Sequence, residues 1–389
     1  MLLQARPLSV NVDSHLSSRN TLRPPRSTHV NRRILLAIPL LAAFACGGDK
    51  KAGGADSGTT AAASTTSGAD LTGAGATFPY PIYSKWFSDY ATKAGVKINY
   101  QSIGSGGGIR QLTEGTVDFG ASDAPMTDAE LAKAKGPILH FPTVLGAVVI
   151  TYNLTGIDKA LKLSGDAVAH IFAGKITKWN DSRIASLNPG VKLPAKDILV
   201  VHRSDGSGTT YIFSDFLSAV STAWAAAPGK GKELSWPVGI GAKGNEGVAG
   251  QVKQTEGAIG YTELAYAKQN HLATAAIANQ AGEYVEPSIE SATAAAAGIS
   301  SKLPPTTDFR ISIVNAPGAG AYPITSFTWL LIPKTIPSAK KQKQLTDFLR
   351  WYLTQGESSA ASLDYAPLPQ SLIATLTARI DSIAAGTAP

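Results

Sequence analysis

Residues 198–213 read ILVVHRSDGSGTTYIF, an apolar strand pattern that breaks into a turn of small and hydroxylated residues and then resumes as a helix. Within that turn Arg203 can present a planar fork of two charge-assisted donors, and Asp205, two residues on, is placed to fix the fork and balance part of its charge. Ser207 and Thr209 add hydroxyls, and Gly208 lets a ligand come close to the backbone. The turn offers many donors and one obvious acceptor, a balance that suits an oxyanion.

Two other stretches carry the same chemistry. GAGATFPYP sets Thr77 ahead of Phe78 and Pro79 at a helix start with unpaired N–H groups, and IGSGGGIRQ sets Ser105 and three glycines ahead of another. Helix N-termini collect free N–H donors and partial positive charge. Any one of these turns reads as readily as a helix cap, but three converging would surround an anion. None contains the lysine of GxxxxGK[ST], and none completes GxGxxG with a downstream ribose-binding acid, which argues against ATP and NAD. The six histidines (His15, His29, His140, His170, His202, His271) show no HExxH or other ligand spacing, so neither a metal nor a cofactor is expected. His202 adjoins Arg203, but neighbours on a strand point to opposite faces.

The elements that must hold these turns alternate strand and helix, which predicts an α/β fold. VKINYQSIG, VDFGASD, LHFPTVLGAVVITYN, DILVVHR, GAIGYTEL and TSFTWLLIP read as strands. PYPIYSKWFSDYATKAG reads as a helix with Ile82, Tyr83, Trp86, Phe87 and Tyr90 on one buried face, GGIRQLTEG as a short helix and KQKQLTDFLRWYLTQG as a late one. AGISSKLPPTTD reads as a loop-rich excursion. At 389 residues two domains are the default, and a composition of 44% hydrophobic and 16% charged residues describes an ordinary globular body.

The net charge of +7 would suggest a nucleic-acid partner were it spread over the fold, but residues 1–45 hold six arginines against Asp13 alone, so five of the seven charges sit there. The remainder is too small for a phosphate-backbone footprint. After NRR the run ILLAIPLLAAFA has signal-peptide length and ends in small residues, so 1–45 reads as an export leader. Cys46, the only cysteine, follows at once in a position that resembles the lipobox of bacterial lipoproteins, although Ala43 and Phe44 depart from that pattern, and the alternative is a plain signal peptide with a stray cysteine. Residues 46–70, rich in Gly, Ala, Ser and Thr, read as a flexible tether behind a lipid anchor.

The strings LTGAGATFPYPIYSKW, GSGGGIRQ, VDFGASDAPM, FPTVLGAVV, RSDGSGTTYIF, WPVGIGAKGNEGVAG, GAIGYTELAYAKQN, YPITS and LDYAPLP, in this order from Leu71 onward, resemble the periplasmic phosphate-binding protein of the bacterial high-affinity phosphate ABC transporter. The resemblance implies a two-lobed, Venus-flytrap binding fold of type II, with the chain crossing twice between lobes. Residues 71–141 plus 322–389 would form lobe I and 142–321 lobe II, closing about hinges near Phe141 to Thr143 and Tyr322 to Thr325. It implicates Thr77, the Phe78 N–H, Ser105, Asp123, Arg203, Asp205, Ser207, Gly208 and Thr209 in binding. It further implies a monomer that hands phosphate to a membrane permease.

A carboxylate at Asp123 would repel a dianion unless the ligand still carries a proton. Hydrogen phosphate can donate its P–OH to Asp123, whereas sulfate cannot, and a site built around one hydrogen bond strongly rejects ligands that lack it. Asp123 is therefore the expected specificity residue, its bland alternative being a cap on the turn before APMTDAE. Two rival functions stand beside this reading. A secreted phosphatase would also need an oxyanion cradle, with Ser207 or Thr209 as nucleophile, but the motifs show no activating base or metal set. A binding protein for sulfate or molybdate would need no proton acceptor at Asp123.

Overall fold

The computed structural model describes residues 68–386 except 158 and 301–306, all within the compact unit Thr65–Pro389. The expected leader, Cys46 and most of the tether lie outside the described residues.

Eight strands make one hydrogen-bonded path: β1 (Leu71–Gly75), β2 (Ile98–Ser102), β3 (Phe119–Ser122), β4 (Ile138–Tyr152), β5 (Leu199–Arg203), β6 (Ile240–Ala242), β7 (Ala258–Glu263) and β8 (Thr325–Pro333), in the order β2-β1-β3-β8-β4-β7-β5-β6. The fold is a two-lobed α/β architecture whose halves meet at β4. Residues Ile138 to Ala147 of β4 pair antiparallel with β8, and Val148 to Tyr152 pair with β7. The exchange of partners falls at Ala147 and Val148, opposite Thr325. Nearly every residue of β4 is buried, which is why its sequence is mostly apolar without alternating.

In the first lobe β1 runs parallel to β2 and β3; in the second β5 runs parallel to β6 and β7. Ligands in such sheets bind beyond the carboxyl ends of the strands. Four helices start there: α1 (Tyr80–Ala94), α2 (Ser105–Glu114), α3 (Gly208–Val220) and α4 (Gly244–Gln254). The five apolar residues expected on the inner face of α1 are all buried, and the helix stops at Gly95, whose φ of 68° closes a left-handed cap onto the Ala91 carbonyl. Trp86 on that face donates from its indole to the Gly356 carbonyl at 2.8 Å and stacks on Tyr352 of α5 (Ala339–Thr354).

The stretch expected to be a loop from Ala297 begins as helix, since the helix Ile289–Ser300 carries on through it. Its alanine-rich body, ATAAAAG, favours helix strongly enough to continue past the point where Gly298 and the serines suggest a break.

Candidate functional site

Arg203 ends β5 with its side chain buried between the lobes. Its Nε and Nη2 donate to the two carboxylate oxygens of Asp205 at 2.7 and 2.5 Å, the two-pronged pairing that its neighbour was expected to make. Burial works to raise the Asp205 pKa, yet the Arg203 guanidinium and the Gly244 N–H outweigh it and hold the carboxyl below its ordinary value. Asp205 therefore stays charged and keeps the guanidinium turned so that Nη1 faces the Thr209 hydroxyl at 3.4 Å.

The three turns expected to converge do so, and a fourth joins them. Ser105 Oγ, on the first residue of α2, accepts the Asp123 N–H at 3.2 Å and, across the cleft, the Gly208 N–H at 3.1 Å. Gly106 N–H donates to the Gly206 carbonyl at 2.8 Å. Ser207 is the N-cap of α3, its Oγ accepting from Thr210 N–H at 3.0 Å, so the expected ligand hydroxyl also anchors the helix that presents it. The fourth turn is the start of α4, where Asn245 Nδ2 donates to Thr77 Oγ1 at 2.7 Å and to Thr209 Oγ1 at 3.1 Å. Phe78 is fully buried, its carbonyl taking the Tyr365 hydroxyl at 2.6 Å.

The bonds form two sets, Thr77, Thr209, Arg203 and Asp205 linked through Asn245, and Asp123 and Gly208 on Ser105 Oγ, joined by the Gly208–Thr209 peptide bond, with Phe78 and Ser207 as chain neighbours. A hydroxyl has two acceptor lone pairs and one proton. Thr77 Oγ1 already accepts from Asn245 N–H and Nδ2, and Ser105 Oγ from two backbone N–H groups. Thr209 Oγ1 accepts from Asn245 Nδ2 and, more weakly, from Arg203. All three hydroxyls have only a proton left to give, so the site offers donors almost everywhere.

Asp123 is the exception. Its Oδ1 accepts from Thr328 Oγ1 at 2.8 Å, and its carboxyl is fully enclosed. Burial pushes its pKa up to about 7, against the pull of the Thr328 hydroxyl, the Arg203 charge and Ser105. Thr328 reaches it because the β8–β4 register shifts between Thr328 and Trp329, and a bulge of this kind re-aims a side chain.

Asn245, Thr328 and Tyr266, whose hydroxyl donates to the Thr77 carbonyl at 2.6 Å, were not singled out from sequence. A signal for Asn245 existed in GAKGNEG, where Gly244 opens a helix with a φ of +73°. Of the histidines, His202 stacks on Trp236 with ring centres 4.8 Å apart, and His140 Nε2 accepts the Met126 N–H at 3.0 Å. Burial, assisted by Arg310, pulls the His140 pKa down to about 4, which keeps that ring neutral.

A family model described as the PBP superfamily domain matches residues 60–355. Phosphate-binding protein PstS of Xylella fastidiosa (strain Temecula1) is 47% identical over 325 residues, covering 83% of this chain and 88% of that protein. The protein of the same name from Pasteurella multocida (strain Pm70) is 48% identical over 316 residues, covering 81% and 91%. The chain belongs to the PstS family of phosphate-binding proteins. A solved high-affinity periplasmic phosphate-binding protein, bound with phosphate at pH 8.5, shares the fold with a TM-score of 0.64 at 22% identity, over 79% of this chain and 93% of that one. In this PstS relative the strings that carried the resemblance are the ones that build the cleft: ATFP, GSGGG, GASD and RSDGSGT all meet there.

Proposed function

We propose that this chain captures inorganic phosphate, as hydrogen phosphate, between its two lobes outside the cytoplasm and delivers it to the permease of an ABC importer. The observation that carries the reading is the donor count among the described residues: three hydroxyls with only protons to give and one guanidinium, its charge partly balanced by Asp205, stand beside one further carboxylate, Asp123. That pattern fits a tetrahedral oxyanion that still owns one hydrogen.

In this reading Thr77, Ser105, Ser207 and Thr209 donate hydroxyl protons, the Phe78 and Gly208 backbone and the helix starts add N–H groups, Arg203 gives its remaining donors, and Asp205 holds Arg203 in place. Charge-assisted bonds contribute about 1.5–3 kcal/mol each, enough in sum to offset ligand desolvation and the cost of association without a metal. Residues 71–141 with 322–389 and residues 142–321 act as the two closing bodies. The protein works as a monomer, exported behind its leader and tethered by a lipid on Cys46.

Isothermal titration with phosphate and sulfate at neutral pH tests the reading. Tight phosphate binding with sulfate rejected supports it, and equal affinities sink it. Steady release of product from a chromogenic phosphate ester would instead favour the phosphatase.

A further inference from the structure

The geometry points to Asn245 as a positioning residue that fixes the direction of two hydroxyl protons across the lobe boundary. This rests on the phosphate reading above. The Glu263 backbone N–H can only donate, and it meets Asn245 Oδ1 at 3.0 Å. That contact sets the orientation of the amide, because Nδ2 in the same place would oppose a donor with a donor. Thr262 Oγ1 donates to the same oxygen at 3.0 Å.

With Oδ1 so held, Nδ2 must face Thr77 Oγ1 and Thr209 Oγ1, and it too can only donate. Thr77 Oγ1 also takes the Asn245 backbone N–H at 3.2 Å, which fills its second lone pair. Both threonines are thereby left with a proton aimed away from Asn245, and an anion is what those protons can reach. Asn245 itself is fully buried, so no water competes for its amide.

The residue also spans the boundary. Asn245 and Thr209 belong to the half built on β5 to β7, whereas Thr77 follows β1 in the other half. The bond from Nδ2 to Thr77 therefore exists only when the halves meet, and the same amide that readies the Thr209 proton completes Thr77 on closure. Binding and closure are coupled through one side chain, not through the ligand alone.

A double-mutant cycle with calorimetric titration tests the assignment. The unmutated chain is first titrated with phosphate, arsenate and sulfate, and the cycle is run with whichever oxyanion it binds. Thr77→Val is expected to cost about tenfold in affinity in the unmutated background and less than about threefold once Asn245→Ala is present, since only the backbone N–H of residue 245 then still directs that proton. Asn245→Asp keeps Oδ1 and its two partners, so its ligand-free melting temperature is expected to stay close to that of the unmutated chain. Its affinity is expected to fall more than about a hundredfold, because an oxygen in place of Nδ2 draws the threonine protons inward and adds a charge.

Additive losses across the cycle, or an Asn245→Asp variant that binds as well as the unmutated chain, overturn the assignment whichever oxyanion is used. Binding of arsenate or sulfate without phosphate overturns the phosphate reading alone. Binding of none of the three overturns both.

Discussion

Ser105 Oγ and the Gly208 N–H, 103 residues apart in the chain, meet at 3.1 Å across the cleft, and no side chain stands between them. A Cβ on residue 208 would lie 2.5 Å from Ser105 Oγ, 2.6 Å from Asp123 Cβ and 2.7 Å from Asp123 N. The backbone of one lobe rests directly on the site residues of the other. Gly208→Ala should leave the second lobe folded, because alanine is favoured over glycine in a helix. It should nevertheless block closure and cost at least about a hundredfold in phosphate affinity. Titration calorimetry reads the loss, and small-angle scattering should show an envelope that phosphate no longer contracts.

Arg203→Lys tests the fork. A lysine keeps the charge but has a single nitrogen, so it cannot pair in parallel with the two Asp205 oxygens and still face Thr209, and it gives up the planar set of donors that the buried position holds. Phosphate affinity is expected to fall by about two orders of magnitude, by titration at fixed ionic strength. A loss below about threefold would mean that only the charge of Arg203 matters.

How far the molecule was legible from its residues differs from element to element. β8 is TSFTWLLIP to the residue, because a long apolar run bounded by a loop and a lysine reads as a buried strand whatever surrounds it. The inner face of α1 was equally plain from its aromatic spacing. Thr77, Ser105, Asp123 and the RSDGSGT turn were legible as donor-rich helix starts and family strings. Asn245 was not, since its meaning lies in a partner 168 residues earlier, and Thr328 was not, since a bulge rather than strand alternation aims it. A residue that works by contact between lobes leaves little trace in the local pattern.

Glu357 predicts a pH dependence of stability unrelated to the ligand. Its Oε2 accepts the Leu368 N–H at 3.2 Å, while Oε1 is buried with no partner among the described residues. Burial pushes its pKa from 4.5 up to about 8, only partly opposed by the Leu368 N–H. The folded chain therefore holds this proton more tightly than the unfolded chain, and the stability so gained is lost as pH rises from about 4.5 through about 8. Glu357→Gln keeps an acceptor for Leu368 and never ionises. At pH 9 it should be more stable than the unmutated chain by on the order of a few kcal/mol, with the gap closing toward pH 5. Denaturant midpoints at both pH values check this, and parallel profiles would refute it.

Asp123 makes the last prediction, because its carboxyl is both the one carboxyl of the site not bonded to Arg203 and a group that burial brings to titrate near neutrality, with a pKa of about 7. Above that value it is charged and can receive the hydrogen of a protonated ligand while repelling a fully ionised one. Below it the carboxyl carries its own proton and becomes one more donor, which suits sulfate. Sulfate itself gains no proton in this range, so any change in its affinity reports the protein. Its binding should strengthen by about tenfold between pH 8 and pH 6, following the protonated fraction of Asp123. Asp123→Asn presents an amide that can donate at every pH, so the variant should bind sulfate with an affinity that is higher at pH 8 and flat with pH. Competition titrations against phosphate supply the measurement. A sulfate affinity that is equally weak at pH 8 and pH 6 would mean that something other than the Asp123 proton enforces the discrimination.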